Sequence, residues 1–281
     1  MLEIGVSFLG FVLDKIIGAK GRGKFLDLLL DSMHECFHFA EENNIKVCEL
    51  LIDYPILSTE ENKKAFIEIC NSYSIKKQVH APFLDVNLCS FNESISQASV
   101  DCYIETAEIC DEIGAELLTI HPGLANEVIN SINRYNVRQL VKAVGKLLNS
   151  VIKLNVKILI ENMPKSCHIL LTTDDFHEFF SLLHRDDIWI TYDTSHFWTS
   201  EDNLTTFWRE YHNRILNIHL VDNSTRDNDP HLALGNGWID FDEVFSLIKK
   251  YNYSGALIVE LSSKKDLKDG IRFVKSKLKK I

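Results

Sequence analysis

Apolar runs alternate with amphipathic stretches along the whole chain, and this alternation is the feature that most constrains its fold. The apolar runs are short and continuous in Val, Ile and Leu, which indicates strands covered on both faces, as in a parallel sheet. We predict strands at 2–8, 45–52, 75–80, 115–120, 156–161, 188–193, 215–221 and 256–260. We predict helices at 24–43, 59–73, 95–113, 134–154, 173–184, 201–212, 240–251 and 264–279.

Eight strand–helix pairs in 281 residues match the order and size of a (β/α)8 barrel, so the predicted fold class is α/β, a single TIM barrel. An open doubly wound sheet is the alternative, but polar residues at the ends of six or more strands favour closure. With 5 prolines, 12 glycines and no long linker, we assign residues 1–281 to one domain. The longest irregular pieces are predicted to form the rim over the site, at 9–23, 81–94, 121–133 and 222–239.

The composition narrows the classes of partner and location. A formal net charge of −10 argues against non-specific nucleic-acid binding, although a metal cluster would add positive charge that this count omits. No stretch approaches the roughly 18 apolar residues that span a bilayer, and the N-terminus lacks a signal-peptide pattern. The 7 cysteines never form C-x-x-C and are typical of reduced, buried residues. We predict a cytoplasmic protein without a membrane partner.

Carboxylates and imidazoles fall at the ends of the predicted strands. Glu161, Asp193, His219 and Glu260 belong to strands 5 to 8, which are contiguous on one side of a barrel. A lone carboxylate in such a position is costly to bury without a metal or a charged partner. A buried salt bridge is the structural alternative for each residue alone, but four neighbouring strands favour a divalent metal site at the carboxyl end of the barrel.

A second set of candidates surrounds these four. His80 and His121 follow strands 3 and 4, and His196 comes three residues after Asp193. Asp229 and His231 would point to the same side if their loop is extended. We interpret the remaining histidines as helix-face or surface residues, and Trp198, Trp238 and Phe83 as walls of a pocket. These remaining histidines are His34, His38, His168, His177, His184 and His212.

The segment GAKGRGKF, from Gly18 to Phe25, fits the spacing G-x-x-x-x-G-K of a phosphate-binding loop. Such a loop needs Ser or Thr next to hold magnesium, and Phe25 occupies that place. The preceding strand also ends about ten residues earlier than the motif requires. We therefore interpret the segment as a flexible rim loop that could touch an anionic substrate.

At these motifs the chain resembles the xylose-isomerase-like TIM barrel superfamily, which contains sugar isomerases and epimerases and also the endonuclease IV family. The resemblance covers essentially the whole chain and is strongest from VHAPF to LIVEL. Its most specific piece is HLVDNSTRDNDPHLALGNGWIDF, which contains His219, Asp229, His231, Gly235 and Gly237.

The resemblance implies two ligand sets. In the isomerase and epimerase branch, the residues matching Glu161, Asp193, His219 and Glu260 bind one divalent cation, and the two glutamates can serve as the acid–base pair. In the endonuclease IV branch, nine side chains share three zinc ions. The matching residues here are His80, His121, Glu161, Asp193, His196, His219, Asp229, His231 and Glu260.

The sequence also departs from the repair enzymes. Their first strand bears a histidine, whereas IGVSF carries Val6, and their second strand leads into a loop with basic residues, whereas ELLIDYPIL has no arginine. Glu49 and Asp53 of that strand look more like an edge that contacts a polyol. Phe83 and Leu84 resemble an apolar pair that repair enzymes use to probe DNA, although they could equally cover a sugar.

The leading hypothesis is a metal-dependent isomerase or epimerase that acts on a small sugar or polyol substrate through an enediolate. Glu161 and Glu260 would move the proton, while His196 and His231 would bind hydroxyl groups or assist. We expect one ion of Zn, Mn, Mg or Co. The alternative is a zinc-dependent endonuclease that cleaves abasic DNA with up to three zinc ions. A non-catalytic barrel that senses a sugar is a third hypothesis.

Overall fold

Eight parallel strands close into a barrel in chain order in the computed structural model, which describes residues 2–20, 24–132 and 134–280. This arrangement confirms the predicted (β/α)8 fold class, and every strand lies within two residues of its predicted bounds. The strands are β1 (Glu3–Ser7), β2 (Val47–Leu51), β3 (Lys76–His80), β4 (Leu117–Ile120), β5 (Lys157–Glu161), β6 (Ile188–Asp193), β7 (Ile215–Leu220) and β8 (Ala256–Val259).

Eleven α-helices connect these strands in the described part of the chain. They are α1 (Leu9–Ala19), α2 (Phe25–Glu42), α3 (Glu60–Asn71), α4 (Glu93–Glu112), α5 (Glu127–Ser131), α6 (Tyr135–Val151), α7 (Thr173–Leu183), α8 (Thr194–Ser200), α9 (Leu204–Tyr211), α10 (Phe241–Lys250) and α11 (Lys264–Leu278). The eight predicted helices are all present, with bounds within three residues of the prediction.

Three helices lie where the sequence predicted none. The predicted irregular piece 9–23 contains α1, and 121–133 contains α5. Helix α1 packs close to the end of the barrel, because a Cβ atom on Gly10 would lie 2.7 Å from the carbonyl oxygen of Leu261. The third, α8, follows β6 directly. Residues 21–23 of the GAKGRGKF segment lie outside the described residues, so its interpretation as a rim loop stays a prediction.

The main apolar core lies between the barrel and the surrounding helices. Helix α6 shows the pattern, since Leu140, Val144 and Leu147 are completely buried at helical spacing. Each such side chain contributes about 1.5–3 kcal/mol by leaving water. On its outer side, Lys146 donates a hydrogen bond of 2.6 Å to Gln97 of α4. Burial of one helix face thus fixes the helices around the strands.

The inside of the barrel is polar beneath the strand ends, although TIM barrels are usually filled there by branched apolar residues. Gln78 donates a hydrogen bond of 2.8 Å to Asn217, and the hydroxyl groups of Thr119 and Thr191 lie 2.7 Å apart. Buried polar groups are costly unless they find such partners. We call these residues, with Glu49, the polar layer.

Two further predictions bear on the chain as a whole. All seven cysteines are free thiols, six of them buried and one partly buried, as the sequence predicted. Within the described ranges, no helix combines the length and apolarity needed to cross a membrane. The assignment of residues 1–281 to one domain stays a prediction.

Candidate metal centre

Four side chains from neighbouring strands converge at the carboxyl end of the barrel. Nδ1 of His219, on β7, lies 3.1 Å from Glu161, 3.0 Å from Glu260 and 3.9 Å from Asp193, measured to the nearest carboxylate oxygen of each. Glu161 and Asp193 are the last residues of β5 and β6, and Glu260 follows β8 directly. All four are buried. We call these residues the strand-borne group.

Two histidines join Glu161 from the opposite side. The Nε2 atoms of His80 and His121 lie 3.1 Å apart, and Glu161 Oε2 is 3.4 Å from the first and 3.0 Å from the second. His80 ends β3, and His121 follows β4 directly. These two residues, which we call the histidine pair, therefore share one carboxylate with the strand-borne group.

A third set of side chains comes from a helix and a loop. Asp229 Oδ2 lies 3.0 Å from Nε2 of His196 and 2.8 Å from Nε2 of His231. His196 belongs to α8, whereas Asp229 and His231 lie in the loop 222–239. Ser195 also donates a hydrogen bond to Asp229. We call His196, Asp229 and His231 the loop-borne group.

The loop 222–239 is folded around one buried carboxylate. Asp222 accepts hydrogen bonds from the backbone N–H groups of Gly235 at 2.8 Å and Gly237 at 2.9 Å. A Cβ atom on Gly237 would lie 2.2 Å from Oδ1 of Asp222, so the backbone can approach the carboxylate only without a side chain. The loop returns beside its start through an antiparallel bridge between Asp222 and Leu232. Asp229 and His231 are thereby held over the barrel.

Helix α8 positions His196. Asp193 is the N-cap of this helix, and its Oδ1 accepts a hydrogen bond of 2.6 Å from the backbone N–H of His196. The other oxygen, Oδ2, is buried and has no hydrogen-bond partner among the described residues. One carboxylate oxygen thus starts the helix, and the other is left for a ligand.

Two imidazoles face carboxylates in a way that requires a proton or a cation between them. Nδ1 of His80 lies 2.8 Å from the carbonyl oxygen of Ala81, and Nδ1 of His196 lies 2.9 Å from that of Asn162. Because a carbonyl only accepts, both Nδ1 atoms carry protons, so each Nε2 faces its carboxylate either with a second proton or with a lone pair. Two acceptors attract each other only through a proton or a cation between them. The oxygen and nitrogen donors present therefore fit a divalent cation such as zinc.

Within the strand-borne group, burial and the surrounding charges shift the pKa values of different residues in opposite directions. Burial raises the pKa of Asp193 to about 7. Burial also opposes the ionisation of Glu260, but the charge of His219 outweighs it and lowers the pKa of Glu260 to about 2. In the same way, burial opposes protonation of His219, while the charges of Glu49 and Glu260 raise its pKa well above the usual value. Without a cation, protons on the imidazoles balance these carboxylates.

A cavity of about 570 Å³ opens above these groups. Its floor includes Glu161, His196 and Glu260, and its walls include Phe83 and Leu124. Within the described ranges, no lysine or arginine lines it. Phe83 is a wall as predicted, but the prediction is wrong for Trp198, which lies in a separate depression, and for Trp238, which is 67% exposed.

All nine sequence candidates lie together, and the six remaining histidines lie outside the cavity lining. Sequence reasoning misplaced Asp53, which does not line the cavity and instead accepts a hydrogen bond from the N–H of Tyr54. It also missed that Glu49 reaches inward to His219. A carboxylate inside an apolar strand was the available signal for Glu49.

The barrel topology and the polar side chains gathered at its carboxyl end define the class: a (β/α)8 protein with a candidate site built from strand ends and loops. Within this class, residues 37–277 match the family described as xylose isomerase-like TIM barrel. The chain belongs to that family, which confirms the resemblance drawn from the sequence.

Individual relatives agree with this assignment. An uncharacterized protein of Methanocaldococcus jannaschii is 26% identical over 279 residues, which cover 95% of this chain and 93% of the relative. A probable endonuclease 4 of Mycoplasma mycoides subsp. mycoides is 26% identical over 205 residues, which cover 66% of this chain and 68% of that protein. A crystal structure of a D-tagatose 3-epimerase-like protein superposes with a TM-score of 0.80 at 23% identity, covering 99% of this chain and 97% of that one. This last likeness concerns the fold.

Proposed function

We propose that the protein is a divalent-metal-dependent isomerase or epimerase of a sugar or a related hydroxycarbonyl compound. The observation that carries this proposal is the convergence of Glu161 and Glu260 on Nδ1 of His219, at 3.1 and 3.0 Å, on the floor of a cavity large enough for a small molecule. Two carboxylates held at one point are the arrangement that stepwise proton transfer requires.

The strand-borne group would hold the cation, and Asp193 Oδ2 is the oxygen left free for it. When bound, the cation supplies Lewis-acid stabilisation of the negative charge that develops on the substrate carbonyl in an enediolate. Glu161 and Glu260 supply the proton transfer: one carboxylate removes the carbon-bound proton, and the other returns it. The pKa of Glu260, about 2, keeps this group ionised at neutral pH.

The other polar groups would hold the substrate. Ser7 donates a hydrogen bond of 3.3 Å to Glu260 Oε1, which limits rotation of that carboxylate. His196 and His231 line the cavity and would bind substrate hydroxyl groups or assist proton transfer. Within the described part of the lining, no lysine or arginine is present to clamp a phosphate, which supports an uncharged polyol as substrate.

The test is solvent exchange over a panel of sugars in deuterated water, with the metal-free protein reloaded with Mn, Mg, Co or Zn. We expect deuterium at one carbon of at least one sugar and the loss of that signal in Glu161→Gln. Glu108→Gln, an exposed change on α4, is the matched control and should retain full exchange. Absence of exchange with every metal and sugar would remove the proposal.

A second candidate function is metal-dependent hydrolysis of a phosphodiester at abasic sites in DNA. It is supported by the way all nine candidate residues fall into groups whose ligand atoms lie close enough to hold ions. These groups are the histidine pair with Glu161, the loop-borne group, Glu161 with Asp193 and His219, and Glu260 with His219 and Glu49. Val6 at the end of β1 and the lack of arginine in 49–57 weigh against it. Three zinc ions per chain and nicking of an abasic-site duplex would favour this function. One exchangeable ion and no nicking would exclude it.

We also propose that the protein works in the cytoplasm. Its seven free thiols support this location, because thiols stay reduced there. Fractionation of cells that express the tagged protein tests this assignment.

A further inference from the structure

His219 has a carboxylate at both of its ring nitrogens. Nδ1 faces the strand-borne carboxylates, whereas Nε2 lies 2.8 Å from Oε1 of Glu49. Glu49 is in the middle of β2, and its side chain is 1% exposed inside the barrel. Glu49 therefore contacts His219 at the ring nitrogen that does not face Glu161 and Glu260.

The polar layer fixes the orientation of Glu49. Its Oε2 accepts hydrogen bonds from the side-chain amides of Gln78 at 2.7 Å and Asn217 at 2.8 Å. These amides come from β3 and β7 and are buried. Rotation of the Glu49 carboxyl group would leave both buried donors without that acceptor, which is unfavourable. Oε1 is therefore held toward His219.

Only one neighbour of Nε2 can accept a proton. The side-chain nitrogen of Asn217 also lies 3.0 Å from Nε2, but an amide nitrogen donates. Among the described residues, Oε1 of Glu49 is thus the acceptor atom that these distances place beside Nε2, and it is a buried oxygen with no hydrogen-bond partner. If the Nδ1 lone pair of His219 faces a cation, the proton of the neutral ring must lie on Nε2, and the unpartnered Oε1 of Glu49 is the acceptor available to it.

We infer that Glu49 is a positioning residue: by accepting the Nε2 proton of His219, it selects the tautomer that offers Nδ1 to a divalent cation and so tightens metal binding. This inference rests on the proposed function, because it requires a cation at the strand-borne group. A carboxylate that accepts from a metal-bound imidazole orients the ring and raises its basicity. The sequence had indicated a polyol contact for Glu49; the residue does line the cavity, and the contact with His219 is additional to that expectation.

The variant test compares Glu49→Gln with Thr191→Val. Thr191 lies in the same polar layer and is equally buried, but its hydroxyl group bonds to Thr119 and not to His219. Metal-free proteins are titrated with Zn²⁺ against a chromophoric chelator. We expect Glu49→Gln to bind zinc about 10–100-fold more weakly than the wild type, and Thr191→Val to bind it equally well.

The outcomes separate this inference from the proposed function. If the wild type binds no divalent ion, the proposed function fails and the inference fails with it. If the wild type binds zinc and Glu49→Gln binds it equally well, only the inference is overturned. Loss of a whole ion from the stoichiometry would identify Glu49 as a direct ligand and also overturn it, as would an equal loss of affinity in Thr191→Val.

A measurement on the wild type covers the case in which Glu49→Gln does not fold. Long-range ¹H–¹⁵N spectra of the zinc-loaded protein report which ring nitrogen of each histidine carries the proton. We expect His219 to be protonated at Nε2, a signature that a purely structural contact would not fix. A proton at Nδ1 of His219 would overturn the inference without any variant.

Discussion

The strand-borne group and the loop-borne group lie side by side but are built by different means. Glu161 and His219 stand on barrel strands, and their side chains are 0–1% exposed. Asp229 and His231 stand on a loop, and their side chains are 14% and 21% exposed. Hydrogen bonds between the barrel strands fix the first group, whereas the second depends on a few hydrogen bonds to Asp222. Closure of the barrel thus positions one part of the site, and hydrogen bonds within a loop position the other.

The largest effect is expected from Glu161, because this residue belongs to the strand-borne group and also contacts the histidine pair. Glu161→Gln should lower turnover by about 10²–10⁴-fold, the contribution of a general acid or base. His231→Asn, in the loop-borne group, should lower it less. Steady-state rates on the sugar that exchanges deuterium measure both variants. A larger loss in His231→Asn than in Glu161→Gln would reverse the comparison.

Removal of metal should affect the two groups unequally. The reference is protein in free zinc at about 100 times the dissociation constant. Relative to it, removal of zinc by a chelator should lower the free energy of unfolding by about 2.7 kcal/mol. Hydrogen exchange should then show lost protection in 222–239, while the amides of β5 to β8 stay protected. Chemical denaturation and exchange mass spectrometry measure these effects, and zinc should restore both. Loss of protection in the strands first would contradict the prediction.

Gly237→Ala tests the loop alone. The added methyl group would lie 2.2 Å from Asp222 Oδ1 and 2.5 Å from the carbonyl oxygen of Asn223. We expect a loss of about 1–3 kcal/mol of stability, as for overpacking, with zinc affinity of the strand-borne group retained. Gly145→Ala on α6, where a Cβ atom would meet nothing within 4 Å, is the control and should gain about 0.5–1 kcal/mol. Equal stability of Gly237→Ala and the wild type would show that Asp222 does not need this close approach.

The stability of the metal-free protein should also depend on pH. Burial opposes the charge of His231, but the hydrogen bond with Asp229 outweighs it and raises the pKa of His231 to about 9, above the usual 6.5. This group therefore contributes stability that is complete below pH 6.5 and is lost as the pH rises through about 9. The stability difference between the wild type and His231→Gln should shrink over that range. An ion in the loop-borne group would abolish the trend, since a cation replaces the proton, whereas a single ion in the strand-borne group should leave it in place. A difference that stays constant with pH in the metal-free protein would contradict the prediction.

The strands and the strand-borne group could be predicted from the sequence for a simple reason. Parallel strands buried on both faces give continuous apolar runs, and a carboxylate such as Glu161 or Glu260 at the end of a run stands out against them. Asp229 and His231 could not be predicted from periodicity alone, because their positions depend on the turn that Asp222 and Gly237 make. The family resemblance of the surrounding segment, rather than periodicity, identified that pair.

The missed elements have physical causes. Helix α8 has the sequence TSHFWTS, whose residues are weak helix formers, and it is started by the Asp193 cap rather than by propensity. Helix α1 contains two glycines and exposed Ile17, which obscure its apolar face. The inward direction of Glu49 depends on Gln78 and Asn217, which lie 29 and 168 positions away from it in the chain. Short-range patterns do not record such contacts.

The two carboxylate oxygens of Glu161 face two different candidate ion positions. Its Oε2 faces the histidine pair, and its Oε1 faces His219. An occupant of either neighbouring position therefore draws on the same negative charge, so the two positions cannot fill independently. We expect partly loaded preparations to be mixtures of distinct molecules, and an averaged stoichiometry to describe none of them.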